Sequence, residues 1–220
     1  FWPMQEPQEL DNGHWIMAGL KVIEGIGGAN NPAAVALCDG SNFEDWKLVD
    51  IPRPSTLPMW GESTVIHQGK RVLCIARYRK PIALVSESND FGETWSETRL
   101  SNLPMSASKP YAGRLSTGHC YLIGNISDNS GNKRAPLTIA LSKPGTMQFN
   151  RVFSIREAQF RGPGESHENA ALAYPYAVEH NKHLYVAYSN NGGRGANRNS
   201  AELAVISIEE LTEKEVETSP

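Results

Sequence analysis

One stretch of the sequence decides the fold: Ser88-Asn89-Asp90-Phe91-Gly92-Glu93-Thr94-Trp95, with the pattern S-x-D-x-G-x-T-W. The carboxylate of Asp90 is suited to accept hydrogen bonds from backbone N–H groups of a turn, and Gly92 permits a positive φ. Trp95 supplies a large apolar ring that can insert between the two flanking strands. The pattern therefore predicts a structural turn between β-strands and gives Asp90 and Trp95 no catalytic role.

The same plan, a strand end followed by a polar turn and an aromatic residue, occurs twice more. Residues Leu37–Trp46 keep an aspartate and a closing tryptophan, and residues Leu141–Phe149 keep a Pro-Gly turn and a closing phenylalanine. The closing aromatics Trp46, Trp95 and Phe149 are 49 and 54 residues apart. A period near 50 residues in a chain of short strands indicates the four-stranded blades of a β-propeller.

Between these turns, short apolar strands are bounded by Gly, Pro, Asn, Asp or Ser, and no long amphipathic helix is evident. We therefore predict an all-β domain covering residues 1–220, with about four propeller blades at 1–55, 56–104, 105–156 and 157–208. The last of these segments shows only three clear strands. One blade cannot bury both of its faces, so we expect successive blades to pack on one another around a central axis.

The composition narrows the classes of function. The 220 residues are 40% hydrophobic and 20% charged, and the net charge of −3 does not suggest the basic face of a nucleic-acid-binding protein. No apolar run approaches the roughly 20 residues that span a bilayer. Cys38, Cys74 and Cys120 form no C-x-x-C pair, so we predict buried thiols and no zinc site. No loop is acidic enough to suggest calcium, and we expect neither metal nor cofactor.

From Gly61 to Ile208 the chain resembles the C-terminal half of the sialidase-like superfamily, whose Asp-box (BNR) repeats share the S-x-D-x-G-x-T-W pattern. The resemblance rests on the order of these features: Glu62-Ser63 before a hairpin, Arg77, the Asp box, an L-x-x-G hairpin, Asn125, Arg134 before L-T-I-A-L-S, Tyr174-Pro175 and a Y-V-A-Y strand. It implies a six-bladed β-propeller of the sialidase type. We expect roughly two N-terminal blades to be missing, and the start at Phe1-Trp2-Pro3, without methionine, to reflect processing or truncation.

The resemblance also implies roles in a glycosidase of the exo-sialidase type, which acts on terminal sialic acid or a related acidic sugar. Tyr174 is then the nucleophile and Glu62 its base, while Arg77 and Arg134 bind the substrate carboxylate. A phenol suits an anomeric carbon that bears a carboxylate, because a charged nucleophile would be repelled, and a phenol needs an adjacent base. Arginine forks bind carboxylates bidentately and stay charged.

Some assignments stay open. Tyr176 shares a strand face with Tyr174 and is the alternative nucleophile, or else a residue that binds substrate. Arg79 is the alternative to Arg77, and Asn125 is expected to line the pocket at the end of an inner strand. Weaker candidates lie at strand ends or in loops near the expected site: Lys109, Tyr111, His167, Glu168, Arg194 and Arg198.

The aspartate acid/base and the first arginine of the family have no counterpart that we can place, and in the family both lie on early blades. Two other functions therefore stay open: a sialidase-like polysaccharide lyase or hydrolase that acts on uronate-bearing glycans, and a glycan-binding propeller without catalysis. The expected partners are an acidic glycan and the missing N-terminal blades of the same protein. We expect a secreted or periplasmic location.

Overall fold

The computed structural model describes residues 1–26, 30–127, 133–163, 165–166, 171–191 and 199–213. The described strands and helix are β1 (Trp2–Pro3), β2 (Gln8–Glu9), β3 (Trp15–Leu20), β4 (Ala33–Cys38), β5 (Lys47–Asp50), β6 (Met59–Gln68), β7 (Arg71–Tyr78), β8 (Leu84–Ser88), β9 (Arg99–Leu100), β10 (Tyr111–Arg114), β11 (Cys120–Gly124), β12 (Leu137–Ser142), β13 (Phe149–Arg156), β14 (Ala171–His180), β15 (His183–Asn191), β16 (Asn199–Ser207) and α1 (Ile208–Thr212). In this part of the chain, no helix has the length and apolar character that a membrane crossing requires.

The strands form four antiparallel sheets that follow one another along the chain. The first has the order β1-β3-β4-β5, with β2 also paired to β3. The second runs from β6 to β9, the third from β10 to β13, and the fourth from β14 to β16, each in sequence order. This is the four-blade arrangement of a β-propeller, and it confirms the predicted fold class.

A hydrophobic core lies between each pair of consecutive sheets. Successive side chains of a strand point to opposite faces, so β7 sends Cys74 and Ala76 into the core shared with the first sheet and Ile75 into the core shared with the third. The third and fourth sheets share another core, which helix α1 extends with the buried side chains of Ile208 and Leu211. Each middle sheet therefore stabilises two neighbours.

The three cysteines lie inside these layers. Cys38, Cys74 and Cys120 are all buried and free, and burial raises the pKa of the Cys74 thiol to about 12. A thiol with a raised pKa stays protonated and unreactive at neutral pH. The structure confirms the prediction that the cysteines act as small buried residues.

The S-x-D-x-G-x-T-W turn is held together as its residues predict. The backbone N–H of Thr94 donates to the Asp90 carboxylate at 2.9 Å. Gly92 has a φ of +90°, and a Cβ at this position would lie 2.9 Å from the side chain of Ile16. Trp95 donates its indole N–H to the Gly92 carbonyl at 2.9 Å and packs against the first core. The turn of the second sheet therefore also covers the edge of the first.

Replacing Asp90 by alanine is expected to lower the free energy of unfolding by about 1–2 kcal/mol, because the backbone and hydroxyl donors of the turn lose their acceptor. Although burial raises it, hydrogen bonds from Thr94 and Ser88 hold the pKa of Asp90 below its ordinary value of 3.8. The carboxylate therefore stabilises the fold above that value, and its contribution is lost as the pH falls through the lower folded value. Denaturant unfolding at neutral and acid pH measures both effects.

The matched control is Asp39→Ala in the first copy of the turn, where Asp39 is exposed and accepts hydrogen bonds from Ser41. We expect a smaller loss of stability there, since Asp39 accepts hydrogen bonds from Ser41 whereas Asp90 accepts them from both Ser88 and Thr94. Equal losses in the two variants would show that the complete pattern adds nothing to the stability of the turn.

The first strands of the sheets lie next to one another, and the N-terminal segment joins them. The side-chain amide of Gln5 donates to the carbonyls of Val65 and Ala112 at 3.0 and 2.7 Å, and its oxygen accepts from the N–H of Val65 at 2.8 Å. Gln5 is only 2% exposed. One side chain therefore ties the second and third sheets to the segment between β1 and β2.

These first strands also depart from regular pairing. The register shifts between Trp60 and Ser63 in β6 and between Ala173 and Tyr176 in β14, and the segment between β1 and β2 lies outside the ladder. Bulges re-aim side chains and are frequent next to active sites. Four polar side chains are carried by these irregular stretches or by the residues just before β10: Glu6, Glu62, Lys109 and Tyr174.

Candidate active site

A buried ion pair between Glu62 and Arg77 forms the base of the candidate site. Nη1 of Arg77 donates to Oε2 of Glu62 at 2.5 Å, and the two side chains are 7% and 10% exposed, respectively. Arg77 lies opposite Trp60 in the β6–β7 ladder, and its guanidinium carbon is 4.1 Å from the Trp60 ring centroid. Within the described residues, Nε of Arg77 is buried and has no hydrogen-bond partner. A buried donor without a partner is uncommon in a folded protein and is consistent with a functional role for Arg77.

Tyr174 lies at the other oxygen of Glu62. Its hydroxyl donates to Oε1 of Glu62 at 3.4 Å, a long hydrogen bond of the kind that tightens when substrate binds. Tyr174 has a φ of +54° at the bulge of β14, which is uncommon outside glycine and clusters at functional sites. Measured over the whole residue, Tyr174 is 41% exposed whereas Glu62 is 8% exposed. The phenol of Tyr174 is therefore accessible to solvent, while the Glu62 carboxylate that accepts its hydrogen bond is buried.

Arg134 brings a second guanidinium to Tyr174. Its guanidinium carbon is 5.7 Å from the Tyr174 ring centroid, and its Nη2 donates to the carbonyl of Ala107 at 3.1 Å. The carbonyl of Arg134 accepts from the N–H of Leu172 at 2.7 Å, which fixes the segment before β12 against the start of β14. The cation and the phenol are therefore held by neighbouring pieces of backbone.

A second polar cluster adjoins Tyr174. Nζ of Lys109 lies 3.9 Å from the ring centroid of Tyr176 and 5.4 Å from that of Tyr111, and the Tyr111 hydroxyl donates to the carboxylate of Glu6. Burial lowers the pKa of Lys109 to about 8, although the carboxylates of Glu62 and Glu6 raise it. Burial also raises the pKa of Tyr111, so its hydroxyl remains a donor.

Asn125 lies behind the site. It is 1% exposed, and its side-chain amide donates to the carbonyls of Pro136 and Leu172, both at 2.9 Å. These bonds tie the third sheet to the fourth near Arg134 and Tyr174. Contact with substrate by Asn125, and by the 45% exposed ring of Tyr176, stays a prediction.

The structure thus brings four of the predicted side chains together: Glu62, Arg77, Arg134 and Tyr174. Arg77, and not the alternative Arg79, pairs with Glu62. Glu6 was not predicted from the sequence, although Pro3 and Pro7 on either side of it indicate an irregular strand. The loop candidates His167, Glu168, Arg194 and Arg198 lie outside the described residues.

The family follows from a comparison over most of the chain. A family model described as a BNR repeat-like domain matches residues 3–186. The chain belongs to the BNR repeat-like family. A comparison with curated proteins found no match. All four side chains at the candidate site lie within the matched part of this BNR repeat-like chain.

Solved sialidase structures share the fold of this BNR repeat-like chain. The K499G mutant of the NanB sialidase from Streptococcus pneumoniae has a TM-score of 0.62 at 12% identity, and the match covers 93% of this chain and 30% of the sialidase chain. A Trypanosoma rangeli sialidase, described as a covalent intermediate with 2,3-difluorosialic acid, has a TM-score of 0.64 at 15% identity, over 92% and 30%. A Dyadobacter fermentans protein of unknown function has a TM-score of 0.65 at 16% identity, and the match covers 92% of this chain and 53% of that protein's chain.

The chain thus spans from about a third to about half of the length of these proteins. At such identities the similarity shows the fold, which is that of a sialidase-type β-propeller. Four sheets in a chain of this length agree with part of such a propeller.

Proposed function

We propose that this chain contributes the nucleophile, its base and two substrate-binding arginines to a glycosidase of the exo-sialidase type. The observation that carries the proposal is the 3.4 Å contact between the hydroxyl of Tyr174 and Oε1 of Glu62, whose other oxygen is bonded to Arg77. A weak nucleophile next to a general base that a third group orients is the usual arrangement for covalent catalysis. The fold shared with sialidases supports the same assignment.

In the proposed first step, Oε1 of Glu62 takes the proton of the Tyr174 hydroxyl while the phenol oxygen bonds to the anomeric carbon. The bond from this carbon to the leaving oxygen breaks, and the leaving oxygen keeps the electron pair. It takes a proton from a general acid that is not among the residues assigned here. Water then bonds to the anomeric carbon and gives a proton to the same general acid, which now acts as a base. The bond from this carbon to the Tyr174 oxygen breaks, and Glu62 returns its proton to the phenol. Two displacements retain the configuration.

The charges around Tyr174 suit a sugar with a carboxylate. Arg77 keeps a buried N–H group without a partner in the described residues, and the guanidinium of Arg134 approaches the Tyr174 ring. Arginine recognises carboxylates through paired N–H groups. The exposed rings of Tyr174 and Tyr176 provide apolar surface for the sugar ring. A neutral nucleophile is favoured because the substrate carboxylate would repel a charged one.

The test is the turnover of a fluorogenic sialoside by the intact protein, with an uncharged galactoside of the same fluorophore as the control. We expect fluorophore release from the sialoside alone. If the sialoside stays intact and a polyuronate instead yields an unsaturated uronate, detected by its ultraviolet absorbance, the protein is a lyase and the proposal is wrong. Binding of a sialylated glycan without turnover would replace it with a glycan-binding propeller.

A further inference from the structure

Lys109 is a buried ammonium group that packing alone does not explain. It is 2% exposed, and within the described residues no carboxylate forms an ion pair with it. Its hydrogen-bond acceptor is the carbonyl of Pro175, 3.3 Å from Nζ. Burial of an ammonium without a carboxylate partner lowers stability, whereas methionine would fill a similar volume without that penalty. A charge kept under these conditions at a cluster of polar side chains indicates a functional role.

The surroundings of Lys109 connect it to Tyr174. Its acceptor Pro175 directly follows Tyr174 in the bulge of β14. The carboxylates of Glu62 on β6 and Glu6 on the N-terminal segment are near enough to raise the pKa of Lys109. The ring centroids of Tyr111 and Tyr176 lie 5.4 and 3.9 Å from the ammonium nitrogen, and aromatic faces favour a nearby cation. The ammonium of Lys109 is therefore buried close to Glu62, the proposed base, and next to the backbone that follows Tyr174, the proposed nucleophile.

We propose that Lys109 is a positioning residue for Tyr174 and Glu62: its ammonium holds the Tyr174–Pro175 bulge and adds a positive charge beside the base. This inference rests on the proposed function, since Tyr174 and Glu62 are its nucleophile and base. A fixed positive charge stabilises negative charge that develops on the phenol oxygen as its proton leaves. Lys109 itself transfers no proton and does not contact the substrate.

Unfolding measurements of Lys109→Met in the intact protein give the first test. Because burial lowers the pKa of Lys109 from 10.5 to about 8, the folded state binds fewer protons than the unfolded state between these values, and stability rises with pH in that window. We expect the variant to unfold at a higher denaturant concentration than the wild type at pH 7, and this gain to shrink as the pH approaches 10. A variant that is less stable at pH 7, by an amount independent of pH, would show a structural role only.

The second test measures the NMR chemical shift of the Tyr174 phenol in the absence of substrate. The intact protein is labelled with ¹³C at Cζ of its tyrosines, and the Tyr174 resonance is assigned by its absence in Tyr174→Phe. We expect the chemical shift of the Tyr174 resonance to change with pH, with an inflection near pH 8 as Lys109 loses its proton. Lys109→Arg, whose charge persists at every working pH, should lose this inflection. The control Lys133→Arg changes an exposed lysine and should keep it.

The two proposals fail separately in these experiments. A Tyr174 resonance without the inflection overturns the role of Lys109, even in a protein that hydrolyses sialosides. An inflection in a protein that does not hydrolyse sialosides overturns the proposed reaction and leaves the coupling between Lys109 and Tyr174 in place.

Discussion

Tyr174→Phe in the intact protein is expected to lower the turnover of a fluorogenic sialoside by roughly 10³-fold or more, because a phenyl ring offers no oxygen to attack the anomeric carbon. The thermal unfolding midpoint should change little. Tyr174 is 41% exposed, and its hydroxyl bond to Glu62 is a long one of 3.4 Å. Initial rates and thermal unfolding of the purified variant separate the chemical effect from a folding defect.

The matched control is Tyr176→Phe, because Tyr176 lies on the same strand, is 45% exposed and keeps its ring contact with Lys109 after substitution. We expect it to retain turnover within about tenfold. Incubation with 2,3-difluorosialic acid should add a glycosyl mass to the peptide that contains Tyr174 in the wild type and not in Tyr174→Phe. Similar losses in both variants, or labelling of a different residue, would remove Tyr174 as the nucleophile.

Arg77→Met is expected to lower the free energy of unfolding by about 3–5 kcal/mol, because it leaves a buried carboxylate without its partner. The side chain of Glu62 is only 10% exposed and forms its ion pair with Arg77 at 2.5 Å. The double variant Glu62→Gln/Arg77→Met should recover part of the loss, since it removes the unpaired charge. Denaturant unfolding of the two single variants and the double variant gives the coupling energy directly.

A surface pair provides the comparison. Arg99 pairs with Glu87 on the outer part of the second sheet, where the side chains are 59% and 35% exposed. Arg99→Met is expected to cost at most about 1 kcal/mol, because solvent screens such pairs. If Arg77→Met cost no more than Arg99→Met, the Glu62–Arg77 pair would not be the buried centre that the proposed mechanism requires.

Local patterns predicted the fold, and the family resemblance named the residues of the candidate site. The repeat near 50 residues and the alternation of apolar side chains are properties of the sequence alone, so they predict propeller blades. The pairing of Glu62 with Arg77 follows from one antiparallel hairpin, whose strands are close in sequence. Short-range order of this kind can be read directly from spacing.

Long-range contacts could not be predicted in the same way. Tyr174 meets Glu62 across 112 residues, and this contact depends on how the fourth sheet packs and on a bulge with a positive φ. Strand alternation puts Tyr174 and Tyr176 on one face, so it could not choose between them. Glu6 approaches Tyr111 from 105 residues away, through a segment with too little regular structure for a pattern to reveal.

The proposed nucleophile and its base belong to different layers of the molecule, Tyr174 to the fourth sheet and Glu62 to the second. In the described residues each middle sheet is held by a core on both faces, whereas the fourth is held by the one it shares with the third. The distance between the phenol and the carboxylate is therefore set by the packing of the third sheet against its two neighbours, so a core substitution far from both side chains can change it.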